Sequence, residues 1–217
     1  MNADHFQAIF WSLTYILLII HSLFYKNHGI PLTAMVLNFA WETVALHNSI
    51  FATAFSYTLI VHIAWFSLDM IMVVLFLVYE TKIFENICRK LCFLCAYIVS
   101  TICLVFLFKH GYMLLSCFAI DLIMAAAFLL HVLMEYPNRN PLIYLIGFSK
   151  LLGDLYAWYY YKDNLYIHEI GTCVFIFNVF YIMILAAQDC PLAFPHGRNC
   201  PKEVSDRETA VEESLKK

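Results

Sequence analysis

Seven apolar runs of near-membrane length, separated by short polar joints, constrain this chain more than any other feature. A hydrocarbon core about 30 Å thick needs about 20 helical residues at about 1.5 Å each. Runs that meet this length lie near 6–25, 30–47, 56–79, 91–108, 112–134, 141–160 and 167–187. The joints carry breakers or charges: "KNHG", "HNSIFAT", "ETKIFENICRK", "KHG", "EYPNRNP" and "YKDNLYIHE". Pro31 and Pro141 fall at the first turns of the second and sixth helices, where a missing N–H costs nothing.

Composition agrees with this. The chain is 63% hydrophobic and 13% charged with a mean hydropathy of +0.74, too few charges for the surface of a soluble domain of 217 residues. The expected fold class is therefore all-α, a polytopic membrane bundle of seven transmembrane helices. Residues 1–188 form the membrane domain, and residues 189–217 read as a polar, solvated tail. The N-terminus lacks a basic region and a small-residue cleavage motif, so the first run is expected to stay as a span. Cys92 and Cys95 form a lone CxxC with no second pair at ligand spacing, so the cysteines read as small apolar packing residues. No metal, other cofactor or nucleic-acid partner is expected; the lipid bilayer is.

Charge placement orients the bundle. Lys26, Lys82, Arg89, Lys90, Arg139 and the basic residues of the tail fall on one side, and only Lys109 and Lys162 on the other. Cationic loops stay in the cytoplasm, which puts the N-terminus outside or luminal and the tail in the cytoplasm.

The first three runs also resemble the last three. "HSLFYKNHGIP" from His21 matches "HVLMEYPNRNP" from His131, and "FSLDMIMVVLF" from Phe66 matches "FIFNVFYIMIL" from Phe175. Offsets of 110 and 109 residues suggest two parallel three-helix units joined by a fourth helix, a 3+1+3 repeat in which Asp69 lies opposite Asn178.

Ionisable groups at membrane depth cost about 2.5–3.5 kcal/mol each and usually face a cavity or a partner. The chain has Glu42, Asp69, Asp121, Lys150 and Asp154 at such depth, with His62 and Asn178 as polar company. Asn38 and Glu42 are i,i+4 neighbours with Trp41 alongside, and His62, Trp65, Phe66 and Asp69 share a face of the third helix. Bland readings exist for several. Lys150 and Asp154, again i,i+4, can be a structural ion pair, Asp121 reads as glue between helices, and His62 as a satisfied polar residue near the outer interface. Glu42 resists such a reading. No basic residue lies within a turn of it, so a neutral carboxylic acid is expected, a proton donor aimed at something apolar.

"LNFAWE" on the second of seven helices resembles the small integral-membrane terpene cyclases of fungal meroterpenoid and indole-diterpene pathways, which have bacterial relatives. The likeness is in length, in the seven spans and in an N-x-x-W-E sequence, here Asn38, Trp41 and Glu42. It extends to "WFSLD" on the third helix, "KLLGD" on the sixth and an F-x-x-Y pattern on the seventh. The resemblance implies protonation of a terminal epoxide or alkene of a linear polyprenyl chain, followed by quenching of the cation by successive double bonds. The substrate would be a hydrophobic prenylated small molecule, and no metal or nucleotide is implied. By resemblance Glu42 is the essential glutamate. The family's second essential acid lies on the last helix, where this chain has Asn178, an amide that cannot donate a proton; Asp69 and Asp154 are the acids that could stand in. Catalytic roles are thus expected of Glu42, Asp69 and Asp154, and substrate binding of Asn38, Trp41, Trp65, Trp158, Asn178 and Tyr181. Aromatic residues, 17% of the chain, suit a carbocation, which needs a dry pocket lined by π-faces. "YAWYYYKD" at 156–163 also reads as an interfacial belt, whereas Trp41 and Trp65 are too deep for one. The rival reading is a small-solute transporter of the 3+1+3 kind, against which stands the absence of prolines within the spans. A seven-helix receptor is a third, disfavoured by loops too short to offer a coupling surface.

Overall fold

A computed structural model describes residues 3–26, 29–51, 56–79, 87–134 and 141–189. Among them are seven α-helices: α1 Ala3–Tyr25, α2 Leu32–Phe51, α3 Tyr57–Tyr79, α4 Ile87–Lys109, α5 Met113–Met134, α6 Pro141–Tyr160 and α7 Leu165–Asp189. No strand occurs among the described residues. The boundaries follow local chemistry. Ser56 caps α3 through its Oγ, which accepts from Leu59 N–H at 3.3 Å, and Asn164 caps α7 in the same way, accepting from Ile167 N–H at 3.3 Å. Gly111, at φ +81°, ends α4: Tyr112 N–H reaches Leu107 C=O at 2.9 Å and Gly111 N–H reaches Phe108 C=O at 3.1 Å. That paired closure needs a left-handed residue, which a glycine supplies without steric cost.

Side-chain contacts give the helix directions. His5 stacks on Tyr57 while Tyr15 reaches Asp69, so α1 and α3 run parallel. Asn38 bonds Asp69 and Glu42 bonds His62, so α2 runs against α3. Phe6 lies on Tyr156 and Phe10 C=O accepts from Ser149 Oγ at 2.7 Å, so α6 runs against α1. Tyr144 donates to Leu185 C=O at 2.9 Å and Asn178 donates to Asp154, so α7 runs against α6. The main packings are α1 with α6 and α3, and α2 with α3, α4 and α5. Residues 186–189 belong with the tail to a second unit, and the tail from 190 onward lies outside the described residues.

Five helices, α1, α3, α4, α5 and α7, are long and apolar enough to cross a membrane, which marks a multi-pass membrane protein. All seven expected runs are helical, and five of them meet this measure of length and composition. The two that fall short, α2 and α6, carry Asn38 and Glu42 and Lys150 and Asp154, all buried. Their polarity faces inward, where protein rather than lipid meets it. Hydroxyls at depth are satisfied locally: Thr14, Ser22 and Thr43 each donate to the carbonyl four residues back. The cysteines also differ from expectation. Cys92, Cys95, Cys103 and Cys173 are exposed on the helix surfaces rather than packed inside, and Cys117 is half-buried.

Glycines let aromatic rings close against helix backbones. A Cβ at Gly171 would lie 2.4 Å from Trp158 Cδ1, and one at Gly153 would lie 2.9 Å from Trp11 Cδ1. Gly171→Ala is therefore expected to lower stability by about 1–3 kcal/mol through overpacking, despite the better helix propensity of alanine. Trp158→Leu added to it should restore part of the loss, measured by thermal unfolding in detergent; an unchanged Gly171→Ala midpoint would contradict the packing described.

Candidate functional site

A cavity of about 50 Å³ opens between four helices. Successive turns of α1 contribute Gln7, Trp11 and Tyr15, and α2 contributes Asn38, Trp41 and Glu42. Trp65 comes from α3, and Cys117, Ile120, Asp121 and Met124 from one face of α5. Three indoles and a phenol thus surround two carboxyl groups on facing helices.

Glu42 is 2% exposed, and its Oε2 lies 3.0 Å from Nδ1 of His62. His62 comes from α3, itself buried, with the Trp65 ring edge-on at 6.0 Å. No other hydrogen bond to Glu42 is found among the described residues, so Oε1 is left to the cavity that Glu42 lines. A carboxyl group fixed through one oxygen and free at the other is arranged to give or take a proton at the free one.

At the floor, Asn38 Nδ2 donates to both oxygens of Asp69, at 3.0 and 2.9 Å. It also donates to the Tyr15 hydroxyl, and that hydroxyl makes a long bond of 3.5 Å to Asp69 Oδ2. Asp69 is 2% exposed and stands behind Asn38, outside the lining. The carboxyl locks the amide so that the Asn38 side-chain nitrogen faces α3.

A third cluster sits behind Trp11. Lys150 donates to Asp154 Oδ2 at 2.5 Å and lies 3.6 Å from Asp121 Oδ1, with its ammonium 5.0 Å from the Trp11 ring. Asn178 Nδ2 donates to the same Asp154 oxygen at 2.6 Å. Asp154 Oδ1 and Asp121 Oδ1 are buried without a hydrogen bond among the described residues. Trp11, packed closely on Gly153, borders both this cluster and the cavity, and Asp121 belongs to both.

Of the residues expected from sequence, Asn38, Trp41, Glu42 and Trp65 line one cavity. Trp41 also packs on Phe108 with ring centroids 5.0 Å apart, and the Trp65 indole donates to Ser12 Oγ at 3.0 Å. Asp154 and Asn178 meet each other but not the cavity. Tyr181 packs edge-on against Phe128 and over Gly147, and Trp158 lies on Phe175 with its indole donating to His168 C=O. Glu42, Asp69 and Asn178 thus belong to three adjoining clusters. Sequence reasoning passed over Gln7, Trp11, Tyr15 and Cys117, and read Asp121 as glue and His62 as incidental. The spacing of Gln7, Trp11 and Tyr15, each i,i+4, was the available signal. Among the described residues no group of three or more His, Cys, Asp and Glu side chains could hold a metal ion.

Comparison with protein-family models, with curated proteins and with solved structures returned no match.

Asn38→Leu removes the amide that faces Asp69 and should lower stability by about 1–3 kcal/mol, the loss expected for an unsatisfied buried polar group. Asn38→Leu combined with Asp69→Leu removes both partners and should recover most of it. A double variant less stable than the single by the full sum of two independent losses would contradict the pairing.

Proposed function

We propose that the protein is a membrane-embedded terpene cyclase-like enzyme acting on a linear polyprenyl chain, an epoxide or an alkene, of a meroterpenoid-type substrate. The observation that carries the reading is Glu42, held by His62 through one oxygen, with the other open to a cavity walled by Trp11, Trp41 and Trp65. The neutral acid gives its proton from Oε1 to the terminal epoxide oxygen or alkene carbon. His62 Nδ1–H then donates to the carboxylate that remains, a charge-assisted bond stronger than the one before transfer. Positive charge migrates along the chain as each double bond attacks, under indole faces that attract a desolvated cation. Loss of a proton from the last cation closes the sequence, so the product is an isomer of the substrate. Asp121, on the opposite wall, is placed to receive that proton, with Lys150 and Asp154 behind it.

In this reading all seven helices span the bilayer, with the N-terminus outside or luminal. The 3+1+3 repeat draws support from the packing. A two-fold that exchanges α1 with α5 and α2 with α6 maps the α1–α6 contact onto the α5–α2 contact, and both are made. It also pairs an acid with an amide across the second and third helices of each half, Asn38 with Asp69 and Asp154 with Asn178. The same symmetry favours the second reading, a small-solute carrier.

Glu42→Gln separates the two. It keeps shape and a hydrogen-bonding amide but has no proton to give, so cyclised product should fall by about 10²–10⁴-fold while the substrate still binds. Membranes supplied with prenylated epoxides and alkenes, read by retention shifts at constant mass, measure this. Wild-type membranes that convert none of them but equilibrate a labelled solute faster than empty membranes would decide for the carrier.

A further inference from the structure

The charges around the cavity do not balance. Glu42, Asp69, Asp121 and Asp154 are four buried carboxyl groups, and the bases among them are Lys150 and His62. Among the described residues, the other groups that bond them or share the lining are uncharged: Gln7 and Tyr15 on α1, Asn38 on α2, Cys117 on α5 and Asn178 on α7. Even with both bases charged, two acids lack a counter-charge. A buried net negative charge at membrane depth is costly, so protons must sit on the excess acids. A proton on a cavity-facing acid can be exchanged for another monocation.

The lining says which kind. A hydrated metal ion needs several oxygen ligands to replace its water, and the described residues gather no such set. The indoles of Trp11, Trp41 and Trp65 instead share the lining with the carboxyl groups of Glu42 and Asp121, an aromatic and acidic setting of the kind that binds alkylammonium groups. We infer that the cavity binds an organic ammonium ion carrying one apolar tail, in exchange for one proton. On binding, the O–H bond of Glu42 or Asp121 ionises, its proton leaves to solvent, and the ammonium charge takes its place. No other bond changes. The inference rests on the same cavity as the proposed cyclisation but not on its chemistry.

Octyltrimethylammonium, titrated into the purified full-length protein in a non-ionic detergent and followed by tryptophan fluorescence, tests it. Its neutral carbon isostere, tert-butyl in place of trimethylammonium, is the comparison. The ammonium should bind at least about tenfold tighter than the isostere. Because the bound state holds fewer protons, affinity should rise with pH, by up to about tenfold per unit. Trp41→Leu should weaken binding by about tenfold and Trp41→Phe much less, with both variants checked for folding by gel filtration. The pH slope should vanish in the Glu42→Gln, Asp121→Asn double variant. Equal affinity for the two probes, or a pH-independent affinity in the wild type, overturns the inference. Turnover of a prenylated substrate without ammonium binding overturns it too and leaves the cyclase reading intact. Ammonium binding without turnover of any such substrate supports it and removes the cyclase reading.

Discussion

The two bonds from Asn38 to Asp69, 3.0 and 2.9 Å long, tie α2 to α3 at the depth where neither side chain could meet water. Lipid supplies no hydrogen bonds, so every polar group carried into it must find a partner on another helix or hold a proton. That demand selects the helix neighbours. α2, the bearer of Asn38 and Glu42, is surrounded by α3, α4 and α5, and α6, the bearer of Lys150 and Asp154, lies along α1. Of the two helices least able to face lipid, α2 has the most neighbours of any helix. The cavity lies between α1, α2, α3 and α5, where the indoles of Trp11, Trp41 and Trp65 share the lining with Glu42 and Asp121.

Glycines decide how closely the aromatic rings approach. Trp11 can lie against α6 only because position 153 has no Cβ, and its seat there puts one side of the indole toward Lys150 and the other toward the cavity. The ring therefore borders both the ion-pair cluster and the cavity, and Asp121, which belongs to both, couples them directly in a low-dielectric setting. Similarly, Gly29, at φ +60°, admits the buried His21 ring just before α2.

Helix number and bounds were legible in the sequence because length and hydropathy carry them; the expected 141–160 run is α6 to the residue. Glu42 was legible as an anomaly, since a carboxyl with no base within a turn has few bland explanations. Its partner was not. His62 stands on another helix, and only the rotation of α3 against α2 brings Nδ1 to 3.0 Å. Asp121 was misjudged for a related reason: alone on an apolar helix it looks isolated, but α5 turns it toward Lys150 on one side and the cavity on the other. Asp69 and Asn178 are equivalent by offset, and each is drawn to the polar residue on the helix before it, Asn38 and Asp154. Periodicity tells which residues share a face; it does not tell which face meets which.

The central claim is that Glu42 presents a protonated carboxyl oxygen to an apolar cavity. Modification by an apolar carbodiimide, which reacts with protonated carboxyl groups from within the bilayer, reads this directly when the labelled peptides are mapped by mass spectrometry. Glu42 should be labelled in the native protein at neutral pH, faster as pH falls, and more slowly once a prenylated ligand occupies the cavity. Labelling confined to acids outside the cavity, with Glu42 reacting only after denaturation, would contradict it.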